Sequence, residues 1–137
     1  MSFRHLYFSA LLFLCHNLNG QNCPNLEPFE CDGTFYQIAD GFLSSLDVET
    51  TSYIPLYDVS LNGDLDQING MAFNSQTNLL LAIATEDFNS TNASLVQFDK
   101  AGCVEVLSRL KGFNAISALG EVDTSGHYYT WRNDFIY

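Results

Sequence analysis

A strand-like run, a polar tip and a second strand-like run occur twice in this chain, 49 residues apart. The first copy is "MAFNSQTNLLLAI", from Met71 to Ile83, and the second is "GEVDTSGHYYTW", from Gly120 to Trp131. Phe73 stands to Val122 as Asn74 to Asp123, Leu79 to Tyr128 and Leu80 to Tyr129. A second set of pairs, Leu46 with Val96, Val48 with Phe98 and Ile54 with Val104, repeats at 50. Recurrence at 20–50 residues is the signature of solenoids, propellers and arrays. A unit of about 50 residues holding four strands suits a propeller blade. The expected fold is therefore all-β, built of antiparallel four-stranded repeats as a partial β-propeller.

The rest of the chain agrees in period. Runs at 33–39, 44–49, 52–59, 69–74, 79–84, 94–99, 103–110, 120–123 and 127–132 alternate or are rich in Val, Ile, Tyr and Phe. The turn-forming segments "ADG", "ETT", "NSQTN", "DKAG" and "DTSG" separate them. No segment carries a sustained 3.6-residue period, and at most one helical turn is expected in "FNAISALGEV". The near-continuous apolar character of Leu79–Ala84 predicts a strand covered on both faces.

The first 20 residues do not belong to this pattern. Arg4 and His5 precede an apolar core, "LYFSALLFLC", too short to span a bilayer, and "HNLNG" forms a polar exit. This is the layout of a secretory signal peptide, with cleavage expected near Gly20–Gln21. Cleavage removes Arg4 and no acid, leaving four basic against 16 acidic side chains, a net charge of −12. Such a chain repels phosphate backbones and anionic lipid, so nucleic acid is excluded as a partner. No later apolar run approaches the length of a transmembrane helix. The expected organisation is a signal peptide over 1–20, a Cys/Pro-rich segment over 21–32 and a repeat domain over 33–137.

Secretion sets the reading of the cysteines and of two sequons. Cys23, Cys31 and Cys103 remain after cleavage, and pairing is the default outside the cell. A Cys23–Cys31 bridge would staple "CPNLEPFEC", leaving Cys103 buried or paired outside the chain. Asn89-Ser90-Thr91 and Asn92-Ala93-Ser94 share one polar loop between two strand-like runs. Crowding disfavours double occupancy, and Asn89 is the expected acceptor because its sequon ends in Thr.

Five stretches together resemble a known family: Phe73-Asn74, Leu79–Ile83, "LVQFD", "AGCVEVLSRLKGF" and "ALGEVDTSGHYYTW". They are similar to DUF6923, a family of uncharacterised extracellular propeller-like modules, and "CDGTFYQI" resembles its opening segment. The resemblance covers roughly Cys31 to Tyr137 and implies a propeller-like fold, with no established activity, cofactor or catalytic residue.

The residues themselves offer no catalytic constellation. No G-x-S-x-G, H-E-x-x-H, G-x-G-x-x-G or P-loop occurs. His127 has no assignable nucleophile partner and reads as a rim histidine. Asn62, Asp64, Asp66 and Asn69 alternate as Ca²⁺ ligands would, but position six of an EF-hand count from Asn62 is Gln67, and no Glu closes it. This reads as an acidic turn, and Glu86-Asp87 as a solvated loop. Among the aromatic residues Phe35, Tyr36, Tyr128, Tyr129, Trp131 and Phe135, Trp131 is the candidate for stacking on a glycan ring.

These readings converge on a secreted, non-catalytic β-repeat module for extracellular binding, adhesion or scaffolding, with an unidentified extracellular protein or glycan as partner and no cofactor. The rivals are a fragment of a Ca²⁺-dependent propeller hydrolase or lactonase, and a compact β-sandwich binding protein. The run "NDFIY" reads as the third strand of an unfinished unit. Truncation at the C-terminus, with oligomerisation or poor cooperativity, is therefore expected.

Overall fold

A computed structural model describes residues 21, 23–30, 32–61, 65, 67–86, 92–112, 119–132 and 135–136, with the backbone alone at 131–132 and 135–136. Every regular element among them is a strand. They run β1 (Tyr36–Ala39), β2 (Phe42–Asp47), β3 (Ser52–Asp58), β4 (Gln67–Asn74), β5 (Leu79–Thr85), β6 (Asn92–Phe98), β7 (Val104–Lys111), β8 (Leu119–Val122), β9 (Tyr128–Arg132) and β10 (Phe135–Ile136). They form three antiparallel meanders in chain order: a first sheet β1-β2-β3, a second β4-β5-β6-β7 and a third β8-β9-β10. The possible helical turn at 113–122 falls partly outside the described residues, and its described end is β8.

Local chemistry sets each reversal. Asp40 and Gly41 both take positive φ, 51° and 77°, as a two-residue hairpin between Ala39 and Phe42 requires. At the β4–β5 tip, the Asn74 side chain accepts from the Gln76 N–H at 3.0 Å, and the Asn74 carbonyl accepts from the Asn78 N–H at 2.8 Å. The β6–β7 and β8–β9 reversals are one device used twice, Asp99-Lys100-Ala101-Gly102-Cys103 and Asp123-Thr124-Ser125-Gly126-His127. In each, the aspartate N–H donates to the carbonyl of the fifth residue, at 3.1 and 3.0 Å. The carboxylate accepts from that residue's N–H, at 2.7 and 2.9 Å. The glycine turns through φ 92° and 84°.

Between the second and third sheets the spacing changes by one residue for a structural reason. β4 carries a bulge between Asn69 and Ala72, where Gly70 and Met71 face the single Ala82 of β5. Gly70 lies 50 residues before Gly120, and Phe73, past the bulge, lies 49 before Val122. The outer hairpins share a bulge but not the 50-residue pairing: Ser44 stands to Val96 at 52 and Pro55 to Val106 at 51, and Val48 lies beyond the end of β2. β3 is bulged where Leu43 pairs with Tyr57 and Ser44 with Pro55. β7 is bulged where Leu95 pairs with Ser108 and Val96 with Val106.

The core lies where the second sheet meets the first. β5 is buried at every position, as expected of a strand covered on both faces. Leu80, Ala82, Val96, Phe98 and Val104 from the second sheet join Leu43 and Val59, and Phe29 from the N-terminal segment completes the cluster. Phe29 is 2% exposed and meets the Tyr36 ring edge-on, centroids 5.1 Å apart.

That segment is fixed by a bridge that the spacing of the cysteines does not suggest. Cys23 is joined to Cys103, Cα atoms 6.2 Å apart, which corrects the expected Cys23–Cys31 pairing. Cys31 lies outside the described residues. Nearness in sequence favoured Cys31, whereas the Asp99 turn carries Cys103 to the same place. Asp99 is 1% exposed, and its Oδ2 accepts from the Glu27 N–H at 2.9 Å. Lys100 N–H donates to the Glu27 carbonyl at 2.8 Å, and Phe29 N–H to the Asn78 carbonyl at 2.8 Å. The Tyr57 ring lies against Gly102, and its hydroxyl donates to the Asp99 carbonyl.

Candidate functional site

The first sheet has a free inner edge, and a cavity lies beside it. β1 pairs with β2 on one side and with no described strand on the other. Antiparallel ladders alternate hydrogen-bonded and open pairs. Ala39 with Phe42 closes the two-residue hairpin, and the Leu46 N–H bonds the Phe35 carbonyl at 2.8 Å. By that alternation the N–H and C=O groups of Tyr36 and Ile38 point away from β2, toward the free edge. β4 passes close to β1. Between them lies a cavity of about 560 Å³, lined by Ile38 to Gly41, Ser60, Leu65 and Gln67 to Asn69. This size falls in the range of small-ligand sites.

The lining is polar and, among the described residues, carries one charge, the Asp40 carboxylate. A second carboxylate stands nearby, since Asp58 Oδ1 lies 3.9 Å from where a Cβ on Gly41 would be. The side-chain and backbone hydrogen bonds of Ser60 hold Asp58 below its ordinary carboxylate range, so it stays charged at neutral pH. Neither Lys nor Arg lines the cavity among the described residues.

A second polar cluster sits on the third sheet. Asp123 Oδ2 lies 3.1 Å from His127 Nδ1 and accepts from the Tyr129 hydroxyl at 3.2 Å. The backbone N–H of His127 is the first cause that draws the Asp123 carboxyl down to about 2. The His127 side chain is 70% exposed. This cluster closes a turn around a carboxylate, and the rim position expected of His127 is where it stands.

The remaining sequence candidates are spread apart. Asn69 lines the cavity, while Asn62, Asp64 and Asp66 lie outside the described residues. Among the described residues no group of three His, Cys, Asp or Glu side chains is placed to hold a metal. Asn92 opens β6, exposed and opposite Lys111, whereas Asn89 and Asp87 lie outside the described residues, as does the 1–20 segment. Glu86 is exposed. Trp131 is placed by its backbone alone, opposite Leu119. Tyr36 packs against the core, but Phe35 is exposed. No described helix is long and apolar enough to cross a membrane.

Sequence reasoning missed the cavity, because Ile38 and Asn69 are 31 residues apart and share no motif. The local signal was "ADG", read only as a turn, which places a carboxylate at the cavity rim. Compared with family models, with curated proteins and with solved structures, the chain matches none.

Proposed function

We propose that this chain is a secreted, non-catalytic binding module whose units are blades of a partial β-propeller, and that the cavity between β1 and β4 is where it binds. The observation that carries the reading is the cavity itself: about 560 Å³, polar, and bordered by a strand edge with unpaired backbone groups. An open strand edge presents a row of backbone N–H and C=O groups on which another chain can pair. A ligand that hydrogen-bonds along β1 gains what the empty edge lacks. Secretion rests on the N-terminal apolar segment and on a disulfide, which persists in oxidising compartments. The acidic surface and the two sequons suit the same setting.

The test uses protein recovered from the medium of a eukaryotic culture and titrated with a panel of oligosaccharides and short peptides. Amide chemical shifts should move at Ile38, Gly41, Gln67 and Asn69, and Gln67→Trp, which narrows the cavity, should abolish the movement. Shifts confined to the third sheet, or protein retained in the cytosol, would overturn the reading.

A further inference from the structure

The shape of the edge identifies the class of ligand. The β2–β3 hairpin of the first sheet matches the β6–β7 hairpin of the second, each with a bulge in its outer strand. β1 therefore occupies the place of β5. The second sheet has a further strand beyond β5, namely β4, and the first has no described strand beyond β1. The cavity lies on that side of β1, with Ile38 and Ala39 on one wall and Gln67 to Asn69 on the other. Its outward-facing groups, the N–H and C=O of Tyr36 and Ile38, are spaced as a strand would meet them. Among the described residues no aromatic side chain lines the cavity to give the stacking platform that a sugar ring uses.

Charge then narrows the ligand. Asp40 and Asp58 are the carboxylates at the rim among the described residues, and the whole chain carries −11. A second copy of so acidic a chain would be repelled, and a basic segment would be attracted. We propose that β1 takes up an extended, lysine- or arginine-bearing segment of another protein as an added strand, its backbone pairing with Tyr36 and Ile38 and its cations meeting Asp40 and Asp58. Main-chain hydrogen bonds supply affinity in this mode, and side-chain charge supplies selection. The proposal rests on the reading of this cavity as the binding site and names its ligand.

The experiment titrates the full secreted protein with an acetylated octapeptide of alternating Lys and Val, at low ionic strength, by calorimetry. Three companions are a peptide N-methylated on alternate residues of the pairing edge, a Glu/Val peptide and the Asp40→Asn/Asp58→Asn protein. Asn keeps the left-handed turn at position 40 and can still accept from the Ser60 N–H at position 58, so the double variant should melt like the parent. The Lys/Val peptide should bind saturably, and N-methylation should weaken it about tenfold or more, the worth of one to two hydrogen bonds. The double variant should weaken it about threefold to tenfold, and the Glu/Val peptide should not bind. Equal binding of the methylated or the acidic peptide overturns strand addition, as does no binding of the Lys/Val peptide. If oligosaccharides still shift the Ile38 and Asn69 amides in that last case, the site stands and its ligand is another class. If Gln67→Trp alters no binding at all, the site falls too.

Discussion

Residues 23–30 reach the second sheet through a covalent bond, a buried carboxylate and a buried ring, whereas the third sheet reaches it through a crossing of two glycines and the half-buried Tyr128 ring packed on Ile83 and Ala93. At that crossing a Cβ on Gly120 would stand 1.8 Å from the Gly70 carbonyl oxygen, so the backbones touch with no side chain between them. Tyr128 donates its hydroxyl to the same Gly70 carbonyl, and the Gln76 side chain donates to the Thr124 carbonyl. The same Asp-x-x-Gly turn serves both regions. In the first, Asp99 is buried and clamps Glu27 while Cys103 anchors Cys23. In the second, Asp123 and His127 satisfy only their own turn and Tyr129. One local sequence solution thus becomes an anchor or a surface turn according to what packs on it.

The comparison is broken hardest at Phe29. Phe29→Ala removes a fully buried ring from the anchored side and should cost roughly 3–5 kcal/mol in denaturant unfolding. A loss below about 1 kcal/mol would mean that the segment contributes little to the core. Next is the bridge. Cys103→Ser opens a connection across 80 residues and should cost roughly 2–5 kcal/mol. His127→Ala, the matched change in the other turn, should stay near zero, and comparable losses would erase the contrast.

A smaller global effect is expected at the glycine crossing, despite the severity of the contact. Gly120→Ala cannot be accommodated without lifting the third sheet from β4. The cost, however, is capped by what that docking is worth. Amide exchange should therefore rise at Glu121, Val122 and Thr130 while β5 keeps its protection. Uniform loss across both sheets would show that the third sheet is integral to the core.

The smallest effects are in pH, and they sharpen the same contrast. The hydrogen bond from the His127 backbone N–H draws the Asp123 carboxyl from its ordinary 3.8 down to about 2, so its contribution is present above about pH 4 and fades as pH falls toward 2. Burial raises the Tyr128 phenol to about 12 from 10.0, so its contribution is full below about pH 10 and is lost as pH rises through 12. Exchange in the third sheet should accelerate in both windows before β5 responds. Simultaneous response would remove the distinction between the two regions.

The strands were legible because their period-2 patterns and turn residues are local. All nine runs read from the sequence coincide with β1 to β9, with ends displaced by no more than three residues, as with Gly33 against Tyr36. The repeat was legible in outline, although its spacing past Asn69 needed the β4 bulge to explain it, and the pairing of Leu46 with Val96 at 50 is not the register of the two bulged hairpins. The disulfide was not, because its partners meet only after β1 to β6 have folded between them. The cavity escaped for a related reason: its walls are the edge of one sheet and the start of the next, and neither wall carries a motif. Asp40 looked like turn chemistry, and it also holds a charge over the cavity.

The Cys23–Cys103 bridge has a mechanical consequence. A pull applied to the two chain ends passes through the sulfur atoms and bypasses everything between them. The 79 residues from 24 to 102, roughly 260–285 Å of extensible length, are withheld from the load while the bond holds. Only the flanking segments and β7 to β10 can pay out, so the free edge of β1 and its cavity sit in the part of the molecule that tension does not reach. Under reducing conditions the hidden length is released, and the same force would unravel the first sheet along with the rest.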